Sequence, residues 1–224
     1  MEKIRFLKKL IIKKRLDGYI VPKNDEFFNE YVPNNKDRLK YLTNFSGSFG
    51  IALILRNKNY LFVDGRYTLQ ANIQCGKNFK ILTIPNKLPA DVLNKKLNIG
   101  FDPSLHTKKN LNFFFNRAKC NLIYVKENLI DKLWSNSKKE VLKNFYILPK
   151  KAIGHSYKFK FKKLTKFYKK KGVDFHFITA AENVAWILNI RGRDSEYSPL
   201  PNAYVVIDKK KGVYFFCNLK KINK

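Results

Sequence analysis

RLKYLTNFSGSFGIALILRNKNYLFVDGRY, residues 38–67, holds two apolar runs, Gly50–Leu55 and Tyr60–Val63, separated by Arg56-Asn57-Lys58-Asn59. Apolar runs joined by a short stretch of turn formers predict an antiparallel β-hairpin. Upstream of it, Arg38 onward reads as a strand-like entry and Ser46-Gly47-Ser48 as a small-residue turn. Downstream, Asp64-Gly65-Arg66-Tyr67 ends the second strand abruptly. The glycine frees the backbone for a sharp exit, and the aspartate can cap the next segment of chain. A charged Asp and Arg at the end of a buried strand are more than a hairpin needs, so this turn is the first candidate site.

On the N-terminal side, Ile4, Leu7, Leu10 and Ile11 share one helical face within residues 2–16. Asp17-Gly18 is expected to end that helix, glycine being common just past a helix C-terminus. Tyr19–Val21 reads as a strand, and Asp25–Tyr31 as a solvated helix start or turn. On the C-terminal side, helices are expected over 67–75, 88–97, 107–118 and 128–134, with strands over 80–84, 98–101 and 121–125. Strands alternating with helices predict an α/β fold with a mixed sheet flanked by helices. Residues 135–156 are polar and irregular and read as an interdomain linker.

Beyond the linker the order repeats. Tyr157–Lys171, YKFKFKKLTKFYKKK, places Phe161, Leu164, Phe167 and Tyr168 on one helical face. A strand over 173–178, a helix over 180–188 and a hairpin, 202–207 with 213–217, come next. LDGYIVP aligns in kind with GVDFHFIT, KYLTNFSGS with AWILNIRGRD, and IALILRNKNYLFVD with AYVVIDKKKGVYFFC. The chain therefore reads as an internal duplication whose second copy is the shorter.

Composition bounds the function. The 224 residues, 45% of them hydrophobic, suffice for two folded domains. No apolar run is long enough for a transmembrane helix, and lysines interrupt the first sixteen residues too often for a secretory signal, so a cytoplasmic protein without membrane contact is expected. The net charge of +29 suggests a polyanion, but only eight of the 46 basic residues are Arg, and the lysines are spread along the whole chain. AT-rich coding explains such a bias without a ligand, and no specific nucleic-acid partner is expected. Cys75, Cys120 and Cys217 are widely spaced and odd in number, which excludes a disulfide framework or a CxxC metal motif. His106, His155 and His176 are isolated, with His176 in an apolar strand as a core histidine. Neither a nucleophile motif nor a metal-ligand set is present, so no catalytic or metal-binding residue is assigned. What remain are Arg38, Arg66, Arg191 and Arg193 in tight polar settings, where the guanidinium fork suits carboxylates and carbonyls. Alternatively, Asp64 and Asp194 pair with these arginines merely to hold loops.

These residues resemble a known family. YIVPKNDEFFNEYV, RLKYLTNFSGSFG, LFVDGRYTLQA, IGFDPSLHT, NLIDKLW and AWILNIRGRDSEYSPLPNAYVVI occur in the order found in the N-terminal part of three-domain Xaa-Pro aminopeptidases (aminopeptidase P). Asn44 departs from the family's usual glycine. The resemblance implies a creatinase N-terminal-like domain at 1–134, the linker at 135–156, and an incomplete second creatinase-like domain at 157–224. In the family a third, pita-bread domain holds two manganese ions and releases an N-terminal residue that precedes proline. Nothing here corresponds to it, so the chain is expected to be a non-catalytic fragment, inactive alone, that shapes the substrate entrance. The implied partner is a peptide with proline in second position, and homodimerisation of the full-length form stays open. By the same resemblance, Arg66 is the residue expected to reach the bound peptide. The alternative is a stand-alone module that binds peptides or a partner without hydrolysis.

Overall fold

The computed structural model describes residues 2–134, 142–210 and 212–222. The described chain forms two compact units, Met1–Glu26 with Asn34–Lys138 and Phe27–Pro33 with Lys139–Lys224.

In the first unit α1 (Glu2–Lys13), β1 (Gly18–Pro22) and α2 (Arg38–Thr43) lead into the hairpin of β2 (Gly50–Leu55) and β3 (Asn59–Asp64). After it come α3 (Thr68–Cys75), β4 (Lys80–Ile84), β5 (Leu97–Phe101), α4 (Lys108–Phe115), β6 (Cys120–Tyr124) and α5 (Leu129–Leu133). The strands make one mixed six-stranded sheet in the order β4-β3-β2-β1-β5-β6. The β1–β2 and β2–β3 pairs are antiparallel, and the outer pairs are parallel. Side-chain alternation divides the sheet between two cores. Tyr19, Val21, Ala52, Ile54, Leu61 and Val63 pack with α1, α2, α3 and α5. Ile20, Ile51, Leu53, Tyr60 and Phe62 face the other way, against Leu93, Phe114 and Phe115.

Three local expectations are corrected here. The strand-like entry at Arg38 is the helix α2, because Asp37 caps it by accepting from Lys40 N at 3.0 Å and Leu39 and Leu42 bury one face. The helix expected over 88–97 is a single 3-10 turn, Pro89–Val92, closed by the Asp91 carboxylate on Leu88 N at 2.8 Å. Residues from Leu97 onward are instead drawn into β5 by parallel pairing with β6. Finally, α1 turns out through Arg15 at φ 56°, and Gly18 lies inside β1. A Cβ on Gly18 would stand 2.6 Å from Leu55 Cδ2 and 2.9 Å from Ile54 O, so close approach of strands requires this glycine.

His106 lies just after β5, with its ring edge-on to Phe101 and its buried Nε2 without a hydrogen-bond partner. Burial pushes this imidazole down to about 4, against the opposing field of Asp102. A neutral histidine in the fold and one of about 6.5 in the unfolded chain make the unfolded state bind more protons below that pH. Stability should therefore fall as pH drops from about 6.5 towards about 4. His106→Gln is expected to flatten that slope in urea titrations across this range, and an unaltered slope would refute the assignment.

The second unit contains β7 (Tyr146–Ile147), α6 (Tyr157–Lys171), β8 (Phe175–Ile178), α7 (Ala181–Leu188), β9 (Ile190–Arg191), β10 (Ala203–Asp208) and β11 (Val213–Cys217). Of the stretch expected as linker, residues 135–141 lie outside the described residues. The remainder carries β7, which pairs antiparallel with β9. Ser156 caps α6 by accepting from Phe159 N, and Gly172 ends it at φ 67°. Phe161, Leu164 and Tyr168 of α6 pack with Val184, Ile187, Ala203, Val205 and Ile207. Phe167, expected on that face, is exposed, and Lys160 is buried, donating to Asn189 Oδ1 at 2.5 Å and to Trp186 O. His176 is exposed rather than in the core, its Nδ1 2.5 Å from Tyr168 Oη. Residues Phe27–Pro33 also belong to this unit: Phe27 stacks on Tyr204 at 5.1 Å, and Asn29 donates to Asn202 Oδ1 at 3.0 Å.

The duplication is visible strand by strand. The second sheet, β11-β10-β8, repeats β3-β2-β1 with the same antiparallel pairings. Asp17 and Asp174, each just before the first strand, accept through the main chain from Arg56 N and Lys209 N. Their carboxylates also pair with those two residues' side chains. Both connecting helices end on a left-handed asparagine, Asn44 at φ 65° and Asn189 at φ 57°. Asparagine tolerates this conformation better than other residues with a Cβ, which accounts for Asn44 in place of glycine.

Candidate functional site

The exit of β3 is a 3-10 turn, Gly65–Tyr67, set up by Asp64. One carboxylate oxygen, Oδ1, accepts from Arg66 N at 2.9 Å and from Arg66 Nε at 3.2 Å, while Oδ2 accepts from Arg66 Nη2 at 2.7 Å. Those hydrogen bonds hold the Asp64 carboxyl below the usual carboxylate range. The Arg66 guanidinium also lies 5.3 Å from the Tyr67 ring centroid. Tyr67 packs edge-on against the buried Phe45, and its hydroxyl is 2.7 Å from Ser48 Oγ. The Ser46 hydroxyl accepts from Gln70 and Gln74 of α3, fastening the Ser46-Gly47-Ser48 turn to the same platform. Arg66 itself is 74% exposed at the side chain. The turn thus presents one guanidinium to solvent with its Nε side clamped by a carboxylate, the form suited to a carbonyl or carboxylate acceptor.

The other arginines do not join it. Arg38 is buried and makes a bidentate pair with Asp131 at 2.7 and 2.8 Å, and a further bond to Glu26 at 2.7 Å. The expected solvated carboxylates Asp25 and Glu26 are therefore partly structural: Asp25 is buried and Glu26 is held by Arg38 and Lys36. Arg191 donates to the main-chain oxygens of Ala185 and Ile190, and Arg193 lies over the Tyr146 ring. Asp194 pairs with Lys221, not with an arginine, at 2.9 Å. That partner, 27 residues away, gave no pattern in the sequence beyond one lysine among many.

The exit turn is itself duplicated. β11 is followed by Asn218, whose side chain accepts from Lys220 N at 3.1 Å over the 3-10 turn Leu219–Lys221. Lys220 stands where Arg66 stands, and Asn218 where Asp64 stands. The turn is scaffold in both copies; the clamped guanidinium belongs to the first alone. Among the described residues no group of three or more His, Cys, Asp and Glu could hold a metal ion, so the implied manganese pair finds no ligand set in them. No helix among them is long and apolar enough to cross a membrane.

Two tandem units of one plan, each a sheet carrying helices and ending its hairpin in a polar 3-10 turn, define a duplicated α/β module. Family models described as creatinase/prolidase N-terminal domain match residues 3–133 and 136–224, and the chain belongs to the creatinase/prolidase N-terminal domain family. Over 230 residues it is 34% identical to a probable Xaa-Pro aminopeptidase P of Coprinopsis cinerea, covering 97% of this chain and 36% of that protein. Xaa-Pro aminopeptidase 1 of Dictyostelium discoideum is 31% identical over 99% of the chain and 38% of its own length. An X-prolyl aminopeptidase from Caenorhabditis elegans, described as a cytosolic enzyme with a di-nuclear active site, matches the whole chain with a TM-score of 0.91 at 26% identity, over 39% of its own chain. The present chain thus spans little more than a third of the relatives it matches.

Proposed function

We propose that this chain is the N-terminal, non-catalytic part of a cytoplasmic, manganese-dependent Xaa-Pro aminopeptidase, and that it shapes the entrance for peptides with proline in second position. The first domain spans 1–134 and the second 157–224, and hydrolysis is carried by polypeptide outside these residues. The carrying observation is the clamped, exposed Arg66 on a scaffold whose second copy has Lys220 there. Arg66 holds a carbonyl or carboxylate of the peptide, while the bond-breaking groups are supplied elsewhere. Support comes from the likeness to Xaa-Pro aminopeptidases over the whole chain.

Titrating the 224-residue chain with short Xaa-Pro peptides tests this. Arg66→Ala is expected to weaken binding about tenfold, the loss of one charge-assisted hydrogen bond at an exposed site, with no shift in thermal midpoint. Equal affinity in both proteins would remove Arg66 from the site. Turnover that appears with manganese and vanishes with chelator would overturn the non-catalytic assignment.

A further inference from the structure

Residues 141–173 hold eleven Lys and no Asp or Glu. AT-rich coding accounts for lysine in place of arginine, but not for so long a stretch without one carboxylate. The structure gathers most of that charge on α6, where seven of the eight lysines are exposed and Lys160 alone is buried. None of the seven makes an ion pair among the described residues. Lys158, Lys162, Lys166 and Lys170 follow one another at one helical turn, so like charges stand side by side and oppose the helix. The fold gains from such charge only in the last turn, where cations suit the helix dipole. At about 100° per residue, Phe159 lies opposite the buried Tyr168, in the middle of this outer face. Phe159 is 39% exposed, and Phe167, about two turns further on, is 52% exposed. The other face of α6, with Phe161, Leu164 and Tyr168, packs in the core of the unit.

We propose that the outer face of α6 adsorbs on an anionic lipid bilayer, with its lysines at the headgroups and Phe159 and Phe167 dipping into the interface. The inference is independent of the peptide role of Arg66. A helix of this length presents a straight, convex strip about 22 Å long, which suits a flat surface. Clusters of about four to eight lysines on such a helix attract acidic lipids, and exposed phenyl groups add apolar area that charge alone would not use. A single-stranded nucleic acid fits less well, because base stacking needs a free ring face. Phe159 already has Lys163 Nζ 4.7 Å and the His155 ring 4.3 Å from its centroid. An acidic polypeptide meets the lysines, but needs apolar residues in register with both phenyl groups as well. The expectation of no membrane contact came from the lack of an apolar run, which concerns spanning a bilayer and not lying on one.

The test sediments the 224-residue chain with vesicles of phosphatidylcholine containing about 30% phosphatidylserine, in about 0.1 M salt. The chain should pellet with these vesicles, stay in solution with pure phosphatidylcholine, and be released at about 0.5 M salt. Lys158→Gln/Lys162→Gln/Lys166→Gln/Lys170→Gln should weaken binding at least about thirtyfold. Its thermal midpoint should be no lower than the parent's, since like-charge contacts are removed. The same loss of charge at exposed lysines of the first unit, Lys77→Gln/Lys95→Gln/Lys109→Gln/Lys119→Gln, should cost no more than about threefold. Phe167→Ser, at unchanged net charge, should weaken binding about fivefold. Failure to bind the anionic vesicles, equal losses in the two quadruple variants, or indifference to Phe167→Ser overturns the proposal. So does tighter binding of polyglutamate or oligothymidylate than of vesicles, lost in the α6 variant, since the occupant would then be an acidic polypeptide or a nucleic acid.

Discussion

Arg38→Ala should destabilise the first unit by about 3 kcal/mol, the lower end of the cost of breaking a buried ion pair. The guanidinium is 3% exposed and ties three separate pieces of chain: α2 through its own position, α5 through Asp131, and the chain after β1 through Glu26. Without it, the Asp131 and Glu26 carboxylates lose the charge they share, although Lys36 still stands 3.4 Å from Glu26. Asp131 is half exposed and can rehydrate, which keeps the expected loss at the lower end. Burial alone would raise the Glu26 carboxyl, but the Arg38 charge outweighs it and holds the group below its ordinary value. A carboxylate depressed in the fold contributes stability above its unfolded value of about 4.3, and that stability is lost as pH falls through the folded value. Urea titrations should therefore show a steeper acid loss in the parent than in Arg38→Ala. A double-mutant cycle with Asp131→Ala should show strong coupling, and additive losses would refute the bidentate pair as a source of stability.

Lys221→Ala should cost the second unit about 3–5 kcal/mol, because the Lys221 and Asp194 side chains are only 3% and 4% exposed and removal strands a buried carboxylate. Among the described residues, Asp194 would keep the main-chain donor Asn202 N, at 2.7 Å. The same residue, Lys221, ties the turn after β11 to the chain entering β7, since Lys221 O accepts from Phe145 N at 2.9 Å beside the β7–β9 pair. With total stabilities of about 5–15 kcal/mol for typical domains, a loss of this size brings a small unit close to unfolding. Trp186 reports on this unit, where the Lys160 amine lies 4.2 Å from its ring centroid, and Trp134 on the first, where it stacks on Tyr41. The expected result is an early Trp186 transition with the Trp134 transition in place. One unshifted transition for both would contradict it.

Much of the fold was legible because its signals are local. The 50–64 hairpin, the strand and helix periodicities and the repeated order after residue 157 are carried by neighbours in sequence, and each unit has the expected pairing. The misreadings share one cause. Arg38–Thr43 has too few residues for a helical period to show, and its cap at Asp37 outweighs any strand preference. Residues 88–97 carry helix-like spacing that sheet pairing at Leu97 overrides. His176 lies on the helix-covered face of β8, against Tyr168, but on an outer strand of its sheet, where the ring stays exposed. Of the site, the clamped Asp64–Arg66 turn was readable, since cap and arginine lie two residues apart.

By itself the sequence determined the α/β class, the duplication, the exit turn with Arg66 and the family resemblance, all of which are written in short-range pattern and motif order. Only the tertiary structure decided which charges are buried and with whom. Arg38 with Asp131 lies 93 residues apart, and Lys221 with Asp194 27 apart, in a chain where 46 basic residues make every pairing look equally available. It also showed that the exit turn recurs at Asn218–Lys221. Burial depends on what folds back over a strand, and no local pattern records that.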